Sequence, residues 1–274
     1  MPKLDLTAAK RIKVASGEVS RLKGVGFDWV KPVPDLRAQV IAALFGNGEQ
    51  GAMYDPSDLS TLFQDSAGTT PVTADSQPVG RMLDVSGNGN HATQATASRR
   101  PLYRTDGTLH WFEFDGFNDR MAVPTITTSV GPVTLASAAV TNDGNTERTT
   151  YIFDVLSASS ERLVWAASAD NAGTCGIFNG AWRMFAVDTE SVMVSSAVVR
   201  SSNAILRVNG QQRLSWSGDQ MALDGNIKIG SRNTGVGNYL NGRFYGLTVR
   251  ASNSTDSDLE LVESYLSSKS GVTL

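Results

Sequence analysis

The sequence has a single cysteine, Cys175, so no disulfide can form within the chain and stability must come from core burial. It has only two histidines, His91 and His110. One cysteine and two histidines cannot build a structural zinc site of the usual kind without carboxylate help. No apolar run approaches the roughly 20 residues that span a bilayer, and residues 1–24 lack the apolar core of a secretory signal. The expectation is a chain without a membrane span, made and folded in a cytoplasm. A net charge of −3 excludes a bulk electrostatic pull toward nucleic acid. Catalytic signatures are scarce as well. There is no G-x-S-x-G elbow for a nucleophile, no phosphate-cradling GxxxxGK[ST] loop and no EF-hand spacing. A glycosidase needs two carboxylates about 5–9 Å apart, yet no strand alternates several acids onto one face. Asp154, Glu161 and Glu190 stand isolated, and the acids of residues 256–260 open a helix, where they serve its dipole. The residues point away from an enzyme.

What is present divides into an arm and a β-rich body. Lys3, Lys10, Arg11, Lys13, Arg21, Lys23 and Lys31 make the first segment basic, against Asp5, Glu18 and Asp28. A proline-punctuated connector, "WVKPVPDL", follows. The spacing of Leu36, Val40 and Leu44 predicts a short helix over 35–45, with Asp35 at its start and Gly46-Asn47-Gly48 as its stop. With few apolar residues of its own, 1–48 is expected to be an attachment arm, and 49–274 a single domain. Asp55 followed by Pro56 predicts a second helical start. Short runs rich in Val, Ile, Thr, Phe and Tyr then recur between Gly, Asn, Asp and Ser, among them "VTLASAAVT", "TYIFDVL" and "GRFYGLTVRA". Asn209-Gly210 is a hairpin signal. Many evenly spaced strands without intervening helices predict a mainly β protein, an antiparallel sandwich or barrel. Only 254–271 reads as helix, capped by Ser254 or Thr255, with Leu259, Val262 and Leu266 on one face and Gly271 after it.

"LDVSGNGNHATQA", residues 83–95, packs Gly87, Asn88, Gly89 and Asn90 into one run. These residue types tolerate positive φ, so the run predicts a sharp turn. Asp84, Asn88, Asp115 and Asp119 are expected to gather near it and accept loop N–H groups. The same oxygens make Asp84, Asp115 and Asp119 the candidate Ca²⁺ ligands, although no metal or cofactor is expected. His91 and His110 read as a turn and a strand residue. Sugars stack on exposed rings, and of the five tryptophans Trp111, Trp165 and Trp216 sit in strand patterns that suit a core. Trp182, beside a hairpin turn, is the candidate exposed ring. The polar loop "GSRNTGVGNYLNG" supplies Arg232, Asn233, Asn238 and Tyr239 as candidate glycan contacts, with a solvated loop or a protein contact as the alternative.

"LDVSGNGNHA" followed by "FEFDGFNDRMAVP" resembles the paired signature of concanavalin A-like, laminin-G-type jelly rolls. An Asn-Gly hairpin, an "IG" strand, a "GRFYGLTV" strand and a closing "DLELVESYLSSKSGV" helix continue it in order over residues 80–274. The resemblance implies a jelly roll whose last helix packs back on the sandwich edge. The stretch from "NGEQGAMYDPSDL" to "HATQATASRRP" is similar to a block of tailed-bacteriophage and prophage virion proteins. That resemblance implies a non-enzymatic virion structural protein, homo-oligomeric, joined to other virion proteins through its arm. A carbohydrate-binding adhesin for host surface glycans is the alternative reading, and a polysaccharide depolymerase the third.

Overall fold

The computed structural model describes residues 35–126, 128–141, 150–156, 162–168, 174–179, 181–186, 191–200, 202–217, 223, 225–233 and 238–274. A helix α1 (Leu36–Phe45) leads into β1 (Gly51–Tyr54), β2 (Leu62–Phe63), β3 (Arg81–Met82), β4 (Ala92–Thr93), β5 (Leu102–Thr105), β6 (His110–Asp115) and β7 (Met121–Val123). The longer strands follow: β8 (Val133–Thr141), β9 (Thr150–Leu156), β10 (Arg162–Ser168), β11 (Thr174–Asn179), β12 (Ala181–Ala186) and β13 (Met193–Val199). Then come β14 (Ala204–Val208), β15 (Gln211–Trp216), β16 (Asn226–Ile229) and β17 (Asn241–Arg250), and the chain closes with α2 (Asp256–Ser270).

The strands form two antiparallel sheets, as the alternating patterns predict. One runs β15-β14-β13-β8-β17-β6-β5, with β1 on the second half of β17. The other runs β12-β11-β10-β9-β16-β7-β4-β3-β2. Between them lies the main core, which includes Phe112, Phe114, Leu135, Phe153, Ile227, Phe244 and Leu247. Alternation sends every second residue of these strands inward. The Asn209-Gly210 turn joins β14 to β15 with both residues at positive φ, 48° and 75°, as a tight hairpin of matching twist requires.

The eight-stranded sheet is buried on both faces. Ala136, Ala138 and Val140 of β8, Tyr245 of β17 and Trp111 of β6 face a second core against Val40, Leu44 and Phe45 of α1 and Val262, Tyr265 and Leu266 of α2. The small alanines of β8 leave room for a helix to lie on the sheet. Three expectations are corrected here. The helix assigned to the arm belongs to the body: the compact unit runs from Leu36 to Leu274, not from 49. Its apolar stripe finds a partner in α2, which local sequence cannot show. The C-terminal helix packs within the chain, but on a sheet face, over β8, β13 and β17, rather than on the edge. And Asp55-Pro56 starts no helix. A single 3₁₀ turn, Leu59–Thr61, follows instead, capped by Asp58, while the Asp55 carboxylate is buried and accepts hydrogen bonds from Ser57, from the Tyr265 hydroxyl at 2.6 Å and an ion pair from Lys269. Thr255, not Ser254, caps α2 in a reciprocal capping box with Asp258, and Gly271 ends it at φ 75°. Residues 1–34 lie outside the described residues.

Candidate functional site

The 83–91 turn explains its own composition. Asp84 accepts from the N–H groups of Met53, Ser86 and Asn90 and from the Ser86 hydroxyl. The side-chain amides of Asn88 and Asn90 donate to the Gly51 carbonyl, and Asn88 also reaches that of Glu49. Gly87 and Gly89 sit at φ 96° and 77°. The turn is a clasp that holds β1 against the sandwich. His91 takes part through Nδ1, which accepts the Asp84 N–H at 3.0 Å; burial and the charge of Arg81 lower its pKa. His110, at the start of β6, meets the Tyr103 hydroxyl through Nδ1.

The expected gathering of Asp84, Asn88, Asp115 and Asp119 does not form. Asp84 and Asn88 serve the turn between β3 and β4, whereas Asp115 ends β6 in the other sheet. There Asp115 accepts the N–H groups of Phe117, Asn118 and Asp119, and Asp119 accepts that of Asp115. Burial, with the Asp115 charge second, pushes the Asp119 pKa up to about 7. Among the described residues no three His, Cys, Asp or Glu side chains lie close enough together to hold a metal.

Trp182, Asn233 and Tyr239 are spread over the outer face of the nine-stranded sheet, the face opposite the helices. Trp182 lies on the edge strand β12 and is 40% exposed. Phe178, directly across on β11, backs it edge-on with ring centroids 5.3 Å apart, and the Tyr151 ring does so at 6.5 Å. Tyr151 links this aromatic group to the polar loop, since its N–H donates to the Asn238 carbonyl at 3.4 Å. Asn238 itself holds φ 59°. On the same face, the Asn233 N–H donates to the carboxylate of Asp154 at 2.6 Å, and the Tyr239 hydroxyl accepts from Arg120 at 3.0 Å. Arg232 is half-buried, its Nε without a hydrogen-bond partner. Residues 234–237, the loop's centre, lie outside the described residues, as do Glu161 and Glu190.

Gly230 starts this loop. Its φ is 81°, and a Cβ there would stand 2.2 Å from the Phe114 ring, so only glycine lets the chain leave β16 so close to the core.

Residues that the sequence left unremarked complete the face. Cross-strand register sets Trp182, Phe178, the Val164 position, Asp154 and Lys228 in one row. The row continues through Ala122, Thr93 and Arg81. Asp154, read as isolated, is fully buried in this row. The signal for Lys228 was available, because Ile227 and Ile229 flank it and both face the core. That for Tyr151 was not. β9 bulges opposite Trp165 and Ala166, so Ile152 and Phe153 both enter the core and the alternation breaks. Of the other tryptophans, Trp111 is buried under the helices and Trp216 is partly buried against the main core. The Trp165 side chain lies outside the described residues.

No family model matches the chain, and no curated protein matches it. Solved structures do. The binding domain of botulinum neurotoxin serotype D superposes with a TM-score of 0.56 at 9% identity, over 84% of this chain and 53% of that one. Domain 4 of an extracellular arabinanase from Geobacillus stearothermophilus, in complex with arabinotriose, gives 0.54 at 12% identity, over 78% of this chain and 98% of that one. The fold is a mainly β, antiparallel two-sheet sandwich. A sialidase from Trypanosoma rangeli, in complex with the inhibitor DANA, is similar at a TM-score of 0.51 and 12% identity, over 79% of this chain and 32% of that one. The chain spans about half the length of the neurotoxin domains it matches. At such identities the likeness is one of fold.

Proposed function

We propose that the chain is a non-catalytic carbohydrate-binding jelly roll, and that it binds glycans on the outer face of the nine-stranded sheet. One observation carries this reading. Trp182 is a large exposed ring, held upright by Phe178 and Tyr151, on the face that neither helix covers. A ring fixed by its neighbours gives up little conformational freedom when a sugar stacks on it. Asn233, Asn238 and Tyr239 supply polar groups on the same face, Asn238 through its carbonyl bond to the Tyr151 N–H, and an apolar ring with a few placed polar groups suits a sugar. The arabinotriose bound to a domain of the same fold supports the reading. Screening the protein against an oligosaccharide array tests it. Trp182→Ala should weaken binding of any ligand found by about tenfold or more, on the order of 1.4 kcal/mol, without changing the melting temperature. Binding that survives this change, or the absence of any glycan ligand, overturns the assignment.

The setting we infer is a virion, with the jelly roll displayed for host attachment. The likeness of the segment before and through the 83–91 turn to phage virion proteins supports it, as does the basic composition of the first 31 residues. The fragment 36–274 should fold and yet fail to join particles. A fragment that assembles normally overturns the attachment role.

A further inference from the structure

Resting on the glycan-binding reading, the charge on this face narrows the ligand. Lys228 projects outward from the middle of the nine-stranded sheet, between Ala122 and Asp154. Arg120 stands two residues before Ala122, on the same face, and its guanidinium lies over the Tyr239 ring at 5.9 Å. Arg232 immediately precedes Asn233, which is bonded to Asp154. Among the described residues, none of Arg120, Lys228 and Arg232 forms an ion pair with an acid. Asp154 is the one acid in the row, and it is fully buried with one oxygen taken by the Asn233 N–H. Among the described residues of this stretch, Lys228 and Arg120 therefore face one acid, Asp154, on a chain whose net charge is −3.

The cations are also partly shielded from water. Lys228, Arg120 and Arg232 are all half-buried. Burial, and then the charge of Arg120, lower the Lys228 pKa. Holding like charges together out of water is unfavourable unless an anion neutralises them. The small side chains of Ala122 and Thr93 continue the row beyond Lys228 and give a ligand room to lie flat. Trp182 is four strands away, about 19 Å at the usual strand spacing. A single sugar cannot touch both; an extended oligosaccharide can.

We propose that this face binds an anionic oligosaccharide, one ring stacked on Trp182 and a carboxylate, such as that of a uronic or sialic acid, held by Lys228 and Arg120. Fixed cations discriminate strongly in favour of an anion that replaces the lost water, and Arg120 is already oriented by its contact with Tyr239. A nucleic acid or an acidic peptide would also seek positive charge, but neither accounts for the stacking ring at the far end of the row.

The test is calorimetric titration of the full chain with oligogalacturonate and with its methyl ester, and with sialyllactose and lactose. The acid of at least one pair should bind about tenfold or more tighter than its neutral counterpart, and rising salt should erase the difference. Lys228→Gln should remove the preference for the acid over its neutral counterpart, and Lys228→Arg should keep it. Melting curves show whether Lys228→Gln is folded; if it is not, Arg120→Lys and Arg120→Gln replace it, with the former expected to retain the preference. Equal affinity for acid and ester, dependent on Trp182, overturns the charge assignment and leaves glycan binding standing. Binding to duplex DNA or polyglutamate that equals the oligosaccharide affinity and ignores Trp182→Ala overturns it in favour of a general polyanion surface. Binding of none of the four sugars overturns the anionic-oligosaccharide proposal, while the array decides the glycan-binding reading separately.

Discussion

Asp119 shows how one residue type takes different roles in one fold. Asp84 holds a turn, its carboxylate oxygens ringed by N–H donors. Asp119 is equally buried but accepts a single N–H and faces Asp115, so the proton is favoured and its pKa rises to about 7. In the unfolded chain it titrates near 4. A raised folded pKa stabilises the protein fully below about pH 4, and that contribution is lost as pH climbs through about 7. Asp119→Asn keeps a neutral acceptor at all pH values. Thermal melts of the two proteins should agree near pH 4 and diverge toward pH 7, the variant becoming the more stable by on the order of 1 kcal/mol or more. Parallel melting curves over that window would mean that Asp119 stays ionised in the fold.

Among the elements, the two helices are coupled and neither is an appendage. Val40 and Leu44 of α1 are fully buried against α2 and the eight-stranded sheet. Removing α1 takes both away and exposes the apolar surface they cover on α2 and the sheet, and burial of two such side chains is worth about 3–6 kcal/mol. The fragment 50–274 should therefore be much less stable than 36–274, or aggregate, as denaturant melts and light scattering would show. Leu266, on the facing side of α2, is 1% exposed. Leu266→Ala should lower the stability of 36–274 by about 2–5 kcal/mol. Indifference of the fragment to that change would place the helix face against another chain. The buried link of Glu263 to Arg207 and Ser196 ties the same helix to β13 and β14, so α2 is held by polar as well as apolar contacts.

At the scale of the whole molecule, the helices occupy the outside of one sheet and leave the outside of the other for the aromatic and cationic row. The helices bury apolar side chains on the one face, and the other carries the row proposed above to bind. The separation of the Asp84 turn from the Asp115–Asp119 loop has a consequence for metals. Chelation should leave the melting temperature unchanged. A fall of more than about 5 °C, on the order of 1 kcal/mol or more for a domain of this size, would restore Asp115 and Asp119 as calcium ligands.

Much of the architecture was legible in the residues. The strands β8, β9 and β10 fall where their apolar runs lie, the Asn209-Gly210 hairpin closes where its dipeptide stands, and α2 carries its cap and its stop in Thr255 and Gly271. These are local preferences, governed by φ and by alternation, and they act within a few residues. Trp182 could likewise be singled out, because a tryptophan beside a tight turn is hard to bury. What covers α1, which face α2 takes, and how Asp84 parts from Asp119 depend on contacts between segments far apart in the chain. So does the row itself. Trp182, Asp154, Lys228 and Ala122 come from four strands, and only strand order and register bring them into line. Side-chain period constrains each strand to two faces, but pairing between strands is a long-range choice, decided by packing of the whole core.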